Sequence, residues 1–546
     1  MEGLRYETTH LPADLLGLGP TARRALSEGI DFRFLPTVSR VEDINLPAER
    51  HDEGERGLLA DALSQRLDPL NPHAAVRRNI ALLGELGTFA VVTGQQPGLL
   101  TSPLYCLYKA LQAVHLACDL TDRLGAPVVP LFWNHADDHD VAEVHHAWQL
   151  NHNLDLQKVA LASMSSGRTP IGELHLDEER HRLGALHANL RQLYGDRPHI
   201  DEVLELFVPR HGETLATAFT RTFTELLGPR GLIVLEPEWL RPELSRALAY
   251  VVGREPIDAL ATSAAELEAA ELPVPIDPGT AALLYRHRDG AREPLRARGG
   301  CFVYPKEEGS RTGVELAAEI VSTPSSWSAG ALLRPLVQDQ VLPVVAYVGG
   351  LGELAYHAQL RALREACDLP LTPFVPRVSC TLVDRATRAS LEKLGIDARR
   401  VLEDRGQFDV EPEEGPPVLG ELRDIARRCA SELLGQREAL SSLDRGLAMN
   451  LKRAADQVTD VVEKIATKAD RVHANQSGKG KRHVRRVNHG LFPREEPQER
   501  VLGPLDLCAT HGPEVFVSAL AAELPSVCSE HLVLQETEGA TQGDSA

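Results

Sequence analysis

The stretch that decides the fold is FAVVTGQQPG at residues 89–98, a short apolar run that ends in a glycine-rich turn. A helix is predicted over 102–123, with Ser102 as its N-cap and Pro103 at its first position. Its apolar residues mostly follow helical spacing, and a second apolar run, VVPLFW, follows at 128–133. A strand, a helix and a strand in this order form a βαβ unit, so the sequence predicts a parallel sheet.

The same pattern recurs outward from this unit and predicts an α/β protein. Further strands are predicted at 231–235 and at 343–348, the second of which leads into a glycine turn and a helix. The predicted domains are a helical N-terminal segment at 1–80, the first part of the core at 81–254, a connecting domain at 255–310, the second part of the core at 311–417, a coiled coil at 418–490, a C-terminal globular segment at 491–534 and a polar tail at 535–546.

The segment from 418 onward has apolar residues at alternating spacings of three and four, which predicts a coiled coil. A reversal near Gly446 would make it an antiparallel hairpin, whereas the unbroken phase also fits one long helix with a partner elsewhere. Amphipathic helices packed on the core are the plainer alternative, but the narrow seam favours the coiled coil. The run SGKGKR at 477–482 resembles a phosphate loop, yet no strand precedes it, so we interpret it as a basic patch.

The composition argues against several classes of protein. The chain has 546 residues, 43% of them hydrophobic, which is typical of a folded protein with more than one domain. A net charge of −20 argues against binding to nucleic-acid phosphates. No apolar run reaches the ~20 residues of a membrane helix, and no signal peptide is predicted. Eight scattered cysteines without a CxxC pair favour a reducing cytoplasm over a disulfide scaffold.

The first candidate site is the turn that follows the strand at 89–93. Glycines let backbone N–H groups approach an anion, and the next helix adds the positive end of its dipole. A tight turn with sterically required glycines is the alternative, but it explains the paired glutamines poorly. Two side chains on the helix share a face and could reach the site or only cover apolar surface. The candidate ligand-binding residues here are Thr93, Gly94, Gln95, Gln96, Gly98, Tyr105 and Lys109.

A cluster of carboxylates and histidines follows the strand at 128–133: HADDHD at 135–140, with Glu143 shortly after. Crowded carboxylates repel one another, so the sequence predicts shifted pKa values and the binding of a polar substrate. A solvated loop in which Asp138 or Asp140 caps a helix is one alternative. A zinc or manganese site is another, although the spacing matches no strong metal motif. Its ligands would be His135, Asp137, His139 and His146.

A third candidate site lies after the strand predicted at 343–348, where a turn could hold an anion or a nucleotide phosphate. The motif GGLGE is not G-x-G-x-x-G and is weak alone. Upstream, Arg334 precedes the pair Gln338 and Asp339. Its guanidinium could bind a carboxylate or a phosphate, or it could form a structural ion pair with Asp339. The candidate anion-binding residues of the turn are Gly349, Gly350, Gly352 and Glu353.

Several blocks, in order along the chain, match one family. The blocks are TGQQPGL at 93–99, PLY at 103–105, YKA at 108–110, W at 133 with DDHD at 137–140 and E at 143, LRP at 333–335 with VQD at 337–339, AYVGG at 346–350 with GE at 352–353, PR at 376–377 with S at 379, LFP at 491–493 and QER at 498–500. Together they resemble the signature of the bacillithiol biosynthesis cysteine-adding enzymes, the BshC family. The chain departs from the family pattern at Asn134 and His135, at Leu351, and at Val378 and Cys380.

The resemblance implies an α/β fold with a Rossmann-like core, small connecting domains and a coiled coil, usually in a homodimer. It also implies a cytoplasmic ligase that adds cysteine to the amine of glucosaminyl-malate. The energy source of this reaction is unsettled in the family, so ATP or ADP is a candidate cofactor. The residues that the matching blocks add to the substrate-binding candidates are Asp137, Glu143, Arg334, Gln338, Asp339, Arg377 and Ser379.

We expect one of three neighbouring side chains, Asp138, His139 or Asp140, to take the proton from the attacking amine. The expected partners are small molecules and a second copy of the chain, without nucleic acid, membrane or bound metal. A metal-dependent hydrolase that uses the histidine and aspartate cluster remains the enzymatic alternative. A scaffold that dimerises through its coiled coil without catalysis is the non-enzymatic one.

Overall fold

The structure is a computed structural model of the 546-residue chain. It describes residues 4–151, 155–164, 167–195, 197–304, 309–408, 418–477 and 479–537, with the backbone alone at 445, 470–477 and 479–481. The chain divides into two compact units. The first comprises Met1–His152, Leu156–Val383 and Glu496–Ala546, and the second comprises Asn153–Asp155 and Asp384–Glu495. The second unit therefore begins inside the segment predicted as the second part of the core, 311–417.

The strands of the described residues are numbered along the chain. They are β1 (Tyr6–Leu11), β2 (Phe89–Gln95), β3 (Val128–Asn134), β4 (His146–Leu150), β5 (Leu156–Ala160), β6 (Ile233–Leu235), β7 (Ala282–Arg288), β8 (Ala291–Arg298), β9 (Cys301–Val303), β10 (Ser310–Arg311), β11 (Trp327–Ala329), β12 (Val344–Gly349), β13 (Phe374–Pro376), β14 (Ser379–Val383) and β15 (His531–Glu536).

The α-helices of the described residues are numbered in the same way. They are α1 (Pro20–Glu28), α2 (Glu53–Leu67), α3 (Ala74–Leu83), α4 (Tyr105–Leu124), α5 (Val141–Val144), α6 (Glu178–His181), α7 (Leu183–Tyr194), α8 (Ile200–Phe207), α9 (Leu215–Leu227), α10 (Arg241–Val252), α11 (Pro256–Ala269), α12 (Gly313–Ser322), α13 (Arg334–Val341), α14 (Leu351–Ala358), α15 (Arg361–Ala366), α16 (Arg385–Leu394), α17 (Ala398–Glu403), α18 (Val418–Gly435), α19 (Arg437–Leu443), α20 (Arg445–Ser477), α21 (Lys479–Leu491), α22 (Gln498–Val501), α23 (Leu505–His511) and α24 (Pro513–Glu523).

The central sheet has five strands in the order β13-β12-β2-β3-β6, and every pairing in it is parallel. Its strands β2, β3, β6 and β12 overlap the four apolar runs of the sequence, so the predicted parallel α/β sheet is confirmed. The chain moves outward from β2 to β3 and β6 and then returns to the other side of β2 as β12. Ligands of open parallel sheets bind beyond the carboxyl ends of the strands at such a switch point.

The central sheet is buried on both faces. Ala90, Val92 and Leu131 pack into one apolar cluster, and Phe132 and Val234 pack into another. Continuously apolar strands are typical of a parallel sheet that is covered by helices on both sides. Among the described residues, no helix combines the length and the apolar character needed to cross a membrane.

Helix α4, which follows β2, starts later than predicted. Leu104 holds the N-cap position without a side-chain hydrogen bond, so the prediction of Ser102 as the N-cap is wrong. The chain first forms a 3-10 turn over Leu99–Thr101, and the backbone N–H of Leu104 donates to the carbonyl of Leu502 at 2.8 Å. This tertiary contact takes up the residues that would otherwise begin the helix. Most faces of α4 are buried, so its Lys109 lies in the interior.

Smaller sheets complete the first unit. An antiparallel sheet of order β10-β9-β8-β7-β11 occupies the predicted connecting segment 255–310 and extends beyond it, because β11 pairs with β7. A second sheet joins β1 to β15, so the segment 1–80, predicted as helical, also contributes a strand whose partner lies near the other end of the chain. Because β15 ends at Glu536, residues 535 and 536 belong to a strand and not to the predicted tail. Residues 538–546 lie outside the described residues.

The second unit contains a helical hairpin in which α18 and α19 pack against α20. The chain turns at Asp444, whose backbone is extended between α19 and α20. Arg423 of α18 lies 3.4 Å from Glu463 of α20, as two antiparallel helices joined at that turn require. The coiled coil is therefore an antiparallel hairpin and not one long helix. The basic run at 477–482 falls at the junction of α20 and α21, with residue 478 outside the described residues.

Candidate functional site

A cavity of about 200 Å³ lies at the carboxyl ends of β3 and β6 in the first unit. The loop after β3 forms one wall, and residues of α10, α13 and the antiparallel sheet form the others. Aromatic and aliphatic side chains contribute apolar surface, whereas charged groups come from four different elements. The charged and polar side chains that border the cavity are His135, Asp137, Asp138, Arg241, Tyr285, Arg292, Ser328, Arg334 and Tyr356.

The loops after β2 and β3 meet at this edge of the sheet, as predicted. The Gln96 side-chain amide donates to Oδ2 of Asp138 at 2.6 Å. One step closer to the sheet, the backbone N–H of His135 donates to the carbonyl of Gln95 at 3.0 Å, which continues the pairing of β2 with β3. The glutamine-rich turn and the acidic loop therefore form one polar edge.

The glycines of the turn after β2 are explained by close packing. A Cβ atom on Gly94 would lie 2.7 Å from the carbonyl oxygen of Trp133, and one on Gly98 would lie 2.0 Å from that of Ser102. The hydroxyl of Thr93 donates to the carbonyl of Val348 at 2.8 Å inside the sheet. The glycines and Thr93 therefore stabilise the conformation of the turn. The side chains of this turn that make polar contacts with other site residues are those of Gln95 and Gln96.

Lys109 connects the turn after β2 with helix α14 across the switch point. Lys109 is 1% exposed, and its ammonium group donates to the carbonyl of Gly94 at 2.8 Å, to Oε1 of Gln95 at 3.0 Å and to a carboxylate oxygen of Glu353. The other carboxylate oxygen of Glu353 accepts from the Tyr347 hydroxyl at 2.9 Å. A lysine has three N–H donors, and all three are used here. Lys109 thus holds the two loops together and has no donor left for a ligand.

The second glycine turn packs closely against a neighbouring strand and leads into helix α14. A Cβ atom on Gly349 would lie 2.5 Å from the Phe374 ring, so this glycine is required by packing. Gly350 is the N-cap of α14 and has no side-chain cap, while Gly352 has open space on its Cβ side. An uncapped helix start presents backbone donors that suit an anion. The carboxylate of Glu353 is already paired with Lys109.

Several residues of the acidic loop have structural partners. Asp137 forms a two-pronged ion pair with Arg241, in which Nη1 donates to Oδ2 at 2.8 Å. Burial alone would raise the pKa of the Asp137 carboxyl, but Arg241 outweighs it and holds that pKa below its ordinary value. Asp140 is exposed and caps α5 by accepting the N–H of Ala142 at 3.2 Å. Glu143 lies on the exposed side of α5.

Asp138 and His139 are the members of the acidic loop that lie beside Arg292. Oδ1 of Asp138 accepts the backbone N–H of His139 at 2.7 Å, and the carboxylate borders the cavity. Nδ1 of His139 lies 3.5 Å from Arg292, and its ring meets the Tyr285 ring edge-on at 5.6 Å. Burial first, and then the charge of Arg292, lower the pKa of His139. The imidazole is therefore mainly neutral near neutral pH.

Arg334 borders the cavity and does not form the predicted alternative ion pair. Its guanidinium donates to the Tyr356 hydroxyl at 2.9 Å and to Oε1 of Gln338 at 3.3 Å, both neutral groups. Asp339 instead binds Arg364 at 2.6 Å in the interior, so of the two alternatives for Arg334 the ion pair with Asp339 is wrong. The helix α13 points the two side chains in different directions. Arg334 is thus placed to bind an anionic ligand.

Sequence reasoning missed the charged residues that come from other elements. Arg292 of β8 donates to the carbonyl of Ala329 at 2.9 Å, covers the Tyr285 ring at 3.7 Å and lies 3.9 Å from Asp138. Arg241 at the start of α10 was missed in the same way. Both arginines lie in segments without a motif, so only the tertiary fold brings them to the cavity.

Arg377 and Ser379 lie at a different place from the first cavity. They border a second cavity of about 430 Å³, which α1, the start of α14 and α22 also line. Arg377 is paired with Glu499 at 2.6 Å, and the Ser379 hydroxyl contacts Nδ1 of His531 at 2.8 Å. Tyr105 lies beneath the Arg377 guanidinium at 5.3 Å. The predicted site residues therefore divide between two cavities of the first unit.

The histidine and aspartate cluster does not assemble into a metal centre. Within the part of the chain that the structure describes, no three His, Cys, Asp or Glu side chains converge as metal ligands would. Asp137, one of the four ligands of the metal alternative, is committed to Arg241. The carboxylates of Asp137 and Asp138 in this cluster lie beside arginines.

Comparison with known proteins agrees with this architecture. Two family models match the chain: the N-terminal Rossmann-like domain of bacillithiol biosynthesis BshC over residues 36–378, and its C-terminal coiled-coil domain over residues 380–536. A relative from Koribacter versatilis, provisionally named cysteine ligase BshC, is 30% identical over 89% of this chain and 91% of its own length. Relatives of the same name from Solibacter usitatus and Geobacillus thermodenitrificans are both 28% identical, over 87% and 82% of this chain and 89% and 84% of their own.

The parallel sheet, its polar carboxyl edge and the helical hairpin define a Rossmann-like α/β protein with a C-terminal coiled coil. Both parts are matched along the chain by domains of one family. The chain belongs to the BshC family of bacillithiol biosynthesis, as its sequence blocks predicted.

Proposed function

We propose that this protein is a ligase that joins cysteine to the amine of glucosaminyl-malate, the last step of bacillithiol biosynthesis. The observation that carries the proposal is the cavity at the carboxyl edge of the sheet. There the hydrogen bonds that Arg334 makes to described residues go to neutral groups, and the acidic loop borders the same space. The relatives named as cysteine ligases support the class of reaction.

The acceptor substrate fits the charges of this cavity. The malate part of glucosaminyl-malate carries carboxylates, for which a guanidinium is the preferred partner because its N–H groups match carboxylate geometry. Within the described ranges Arg334 has no ion-pair partner to displace, so it is the first candidate to bind a malate carboxylate. Arg292 is the second candidate, since its ion pair with Asp138 is long, at 3.9 Å.

The amine of the acceptor must lose a proton, because an ammonium group has no electron pair with which to attack a carbonyl carbon. Asp138 borders the cavity, and His139 next to it is neutral and able to accept a proton. We assign proton removal to this pair. Asp140 is less suited to the role because its carboxylate caps α5.

The cysteine carboxylate must be activated, since amide formation from a free carboxylate is uphill in water. An adenylate or an acyl phosphate made from ATP would supply a leaving group. The start of α14, with Gly350 and Gly352, fits an anionic group in that its backbone donors are uncapped. We propose this turn, which borders the second cavity, as the place for the activating phosphate, with Glu353 and Lys109 holding the turn in position. The activated cysteine would then extend from this turn to the acceptor amine in the first cavity.

We also propose that the protein acts in the cytoplasm as a homodimer. Apolar side chains on the helical hairpin of the second unit support the dimer, since Ile425, Val461 and Ile465 are each more than half exposed. A second copy would remove this surface from water. Light scattering of the purified protein tests it, with twice the mass of the chain as the expected result.

The reaction is tested directly with the purified protein. Glucosaminyl-malate, cysteine and ATP are incubated with the enzyme, and mass spectrometry is used to look for the cysteinyl conjugate. Omission of ATP, or its replacement by other nucleotides, identifies the energy source. In parallel, a strain that lacks the gene should lose bacillithiol and accumulate glucosaminyl-malate. A strain that keeps its bacillithiol would contradict the proposal.

A further inference from the structure

His135 is a polar group at the cavity, and no side-chain hydrogen bond to its ring is found in the part of the chain that the structure describes. It follows β3 directly. Its ring borders the cavity, while Nε2 is enclosed and has no hydrogen-bond partner among the described residues. A Cβ atom on Gly94 would lie 2.8 Å from this Nε2, so the ring occupies the space that a side chain at position 94 would need. Nδ1 is the nitrogen left for a ligand.

The charges around His135 keep its ring neutral. Burial first, and then the positive charges of Arg334, Lys109 and Arg292, lower the pKa of His135 well below its ordinary value. The acidic groups that border the same cavity are Asp137 and Asp138, the first of which is neutralised by Arg241. The imidazole therefore stays uncharged at neutral pH and below.

A neutral imidazole among arginines selects one kind of ligand group. A carboxylate is bound more strongly by Arg334 or Arg292, because a charged donor makes the stronger hydrogen bond. An ammonium group is repelled by the same cations. A hydroxyl group suits Nδ1 in either tautomer, since it donates to a bare nitrogen and accepts from an N–H.

We propose that His135 binds a hydroxyl group of the sugar part of the acceptor, and so determines which acceptor enters the cavity. This inference rests on the proposed function and adds an orientation to it. The malate carboxylates lie towards Arg334 and Arg292, and the sugar hydroxyls lie against the ring of His135. The glycine at position 94 makes room for the ring, so Gly94 and His135 act as a pair.

Calorimetric titration of the full-length protein with glucosaminyl-malate tests this role. His135→Phe keeps the size and planarity of the side chain but removes both nitrogens, and the loss of one buried hydrogen bond should weaken binding roughly tenfold. His135→Gln keeps a donor and an acceptor and should lose less. His187→Phe, at an exposed histidine on α7, is the matched control and should bind as the wild type does.

L-malate serves as a second probe that lacks the sugar. Its affinity should be the same in the wild type and in His135→Phe, because its carboxylates depend on the arginines. Equal affinity of the wild type and His135→Phe for glucosaminyl-malate would overturn the inference alone, and so would an equal loss for both probes. A wild-type protein that does not bind glucosaminyl-malate would overturn the proposed function and this inference with it.

Discussion

Gln96 and Asp138 come from different loops and are hydrogen-bonded to each other, with the amide nitrogen 2.6 Å from the carboxylate oxygen. This contact joins the turn after β2 to the acidic loop after β3 at the carboxyl edge of the sheet. It also fixes one oxygen of Asp138, while the backbone N–H of His139 holds the other at 2.7 Å. The acidic loop is thereby kept in one conformation beside the cavity.

Replacement of Gln96 tests whether this contact positions the acidic loop for the proposed reaction. In Gln96→Ala the Asp138 carboxylate loses a donor, so we expect product formation to fall about tenfold, the cost of one hydrogen bond to a charged group. Stability should change by less than about 1 kcal/mol because the pair is only partly buried. Mass spectrometry of the product and urea unfolding measure the two effects. Gln192→Ala, at an exposed position on α7, is the control, and an equal loss there would contradict the assignment.

The buried pair of Lys109 and Glu353 provides a stability prediction. Lys109→Met leaves the Glu353 carboxylate near the protein interior without its cation, which should lower the free energy of unfolding by about 3–5 kcal/mol. The double variant Lys109→Met with Glu353→Gln removes both charges and should recover part of that loss. Urea unfolding measures both. Lys452→Met, exposed on α20, is the matched control. A double variant less stable than the single one would show that the pair does not act as a unit.

Arg334 is expected to carry most of the affinity for the acceptor. Arg334→Met removes a charged donor from the cavity, and the affinity for glucosaminyl-malate should fall about 10²-fold. Arg334→Lys keeps the charge but not the planar geometry, so it should restore only part of the affinity. Calorimetric titration measures these changes. Arg399→Met, on an exposed face of α17, should bind normally. Unchanged affinity in Arg334→Met would place the malate part elsewhere.

We expect the stability of the protein to depend on pH through Glu236, which directly follows β6. Burial raises the pKa of its carboxyl to about 7, although the Thr220 hydroxyl donates to it at 2.6 Å. The unfolded chain has the ordinary pKa of about 4.5, so the wild type loses stability as the pH rises from there to about 7 and then levels off. Glu236→Gln cannot ionise and should therefore exceed the wild type in stability above pH ~7 by about 3 kcal/mol at most. The two proteins should be similar below pH ~4. Urea unfolding at a series of pH values measures the difference, and a constant difference would contradict the raised pKa.

The central part of the fold could be predicted because it depends on local signals. The apolar runs at 89–93 and 128–133 lie in strands, and the parallel sheet follows from the helix between them. The strand β1 could not be predicted, because it is defined by pairing with β15 near the other end of the chain. The predicted start of α4 was wrong for a similar reason, since the hydrogen bond from Leu104 to Leu502 is a tertiary contact.

The candidate site, like the fold, could be predicted from the sequence only in part. The meeting of Gln96 with Asp138 followed from the rule that loops at one end of a parallel sheet are neighbours. The roles of Asp137 and Lys109 did not follow, because their partners Arg241 and Glu353 are distant in sequence. Arg292 was missed altogether, since an arginine in an antiparallel strand carries no motif. Motifs predicted which loops form the site, and only tertiary contacts distinguish residues free to bind a ligand from those already paired.

A crystal structure of the protein with glucosaminyl-malate tests the central claim most directly. We expect the acceptor in the cavity bordered by Asp138, His135 and Arg334, with a malate carboxylate at the guanidinium and the amine near the acidic loop. A ligand bound at the second cavity, beside Arg377 and Ser379, with the first cavity filled only by solvent, would contradict it.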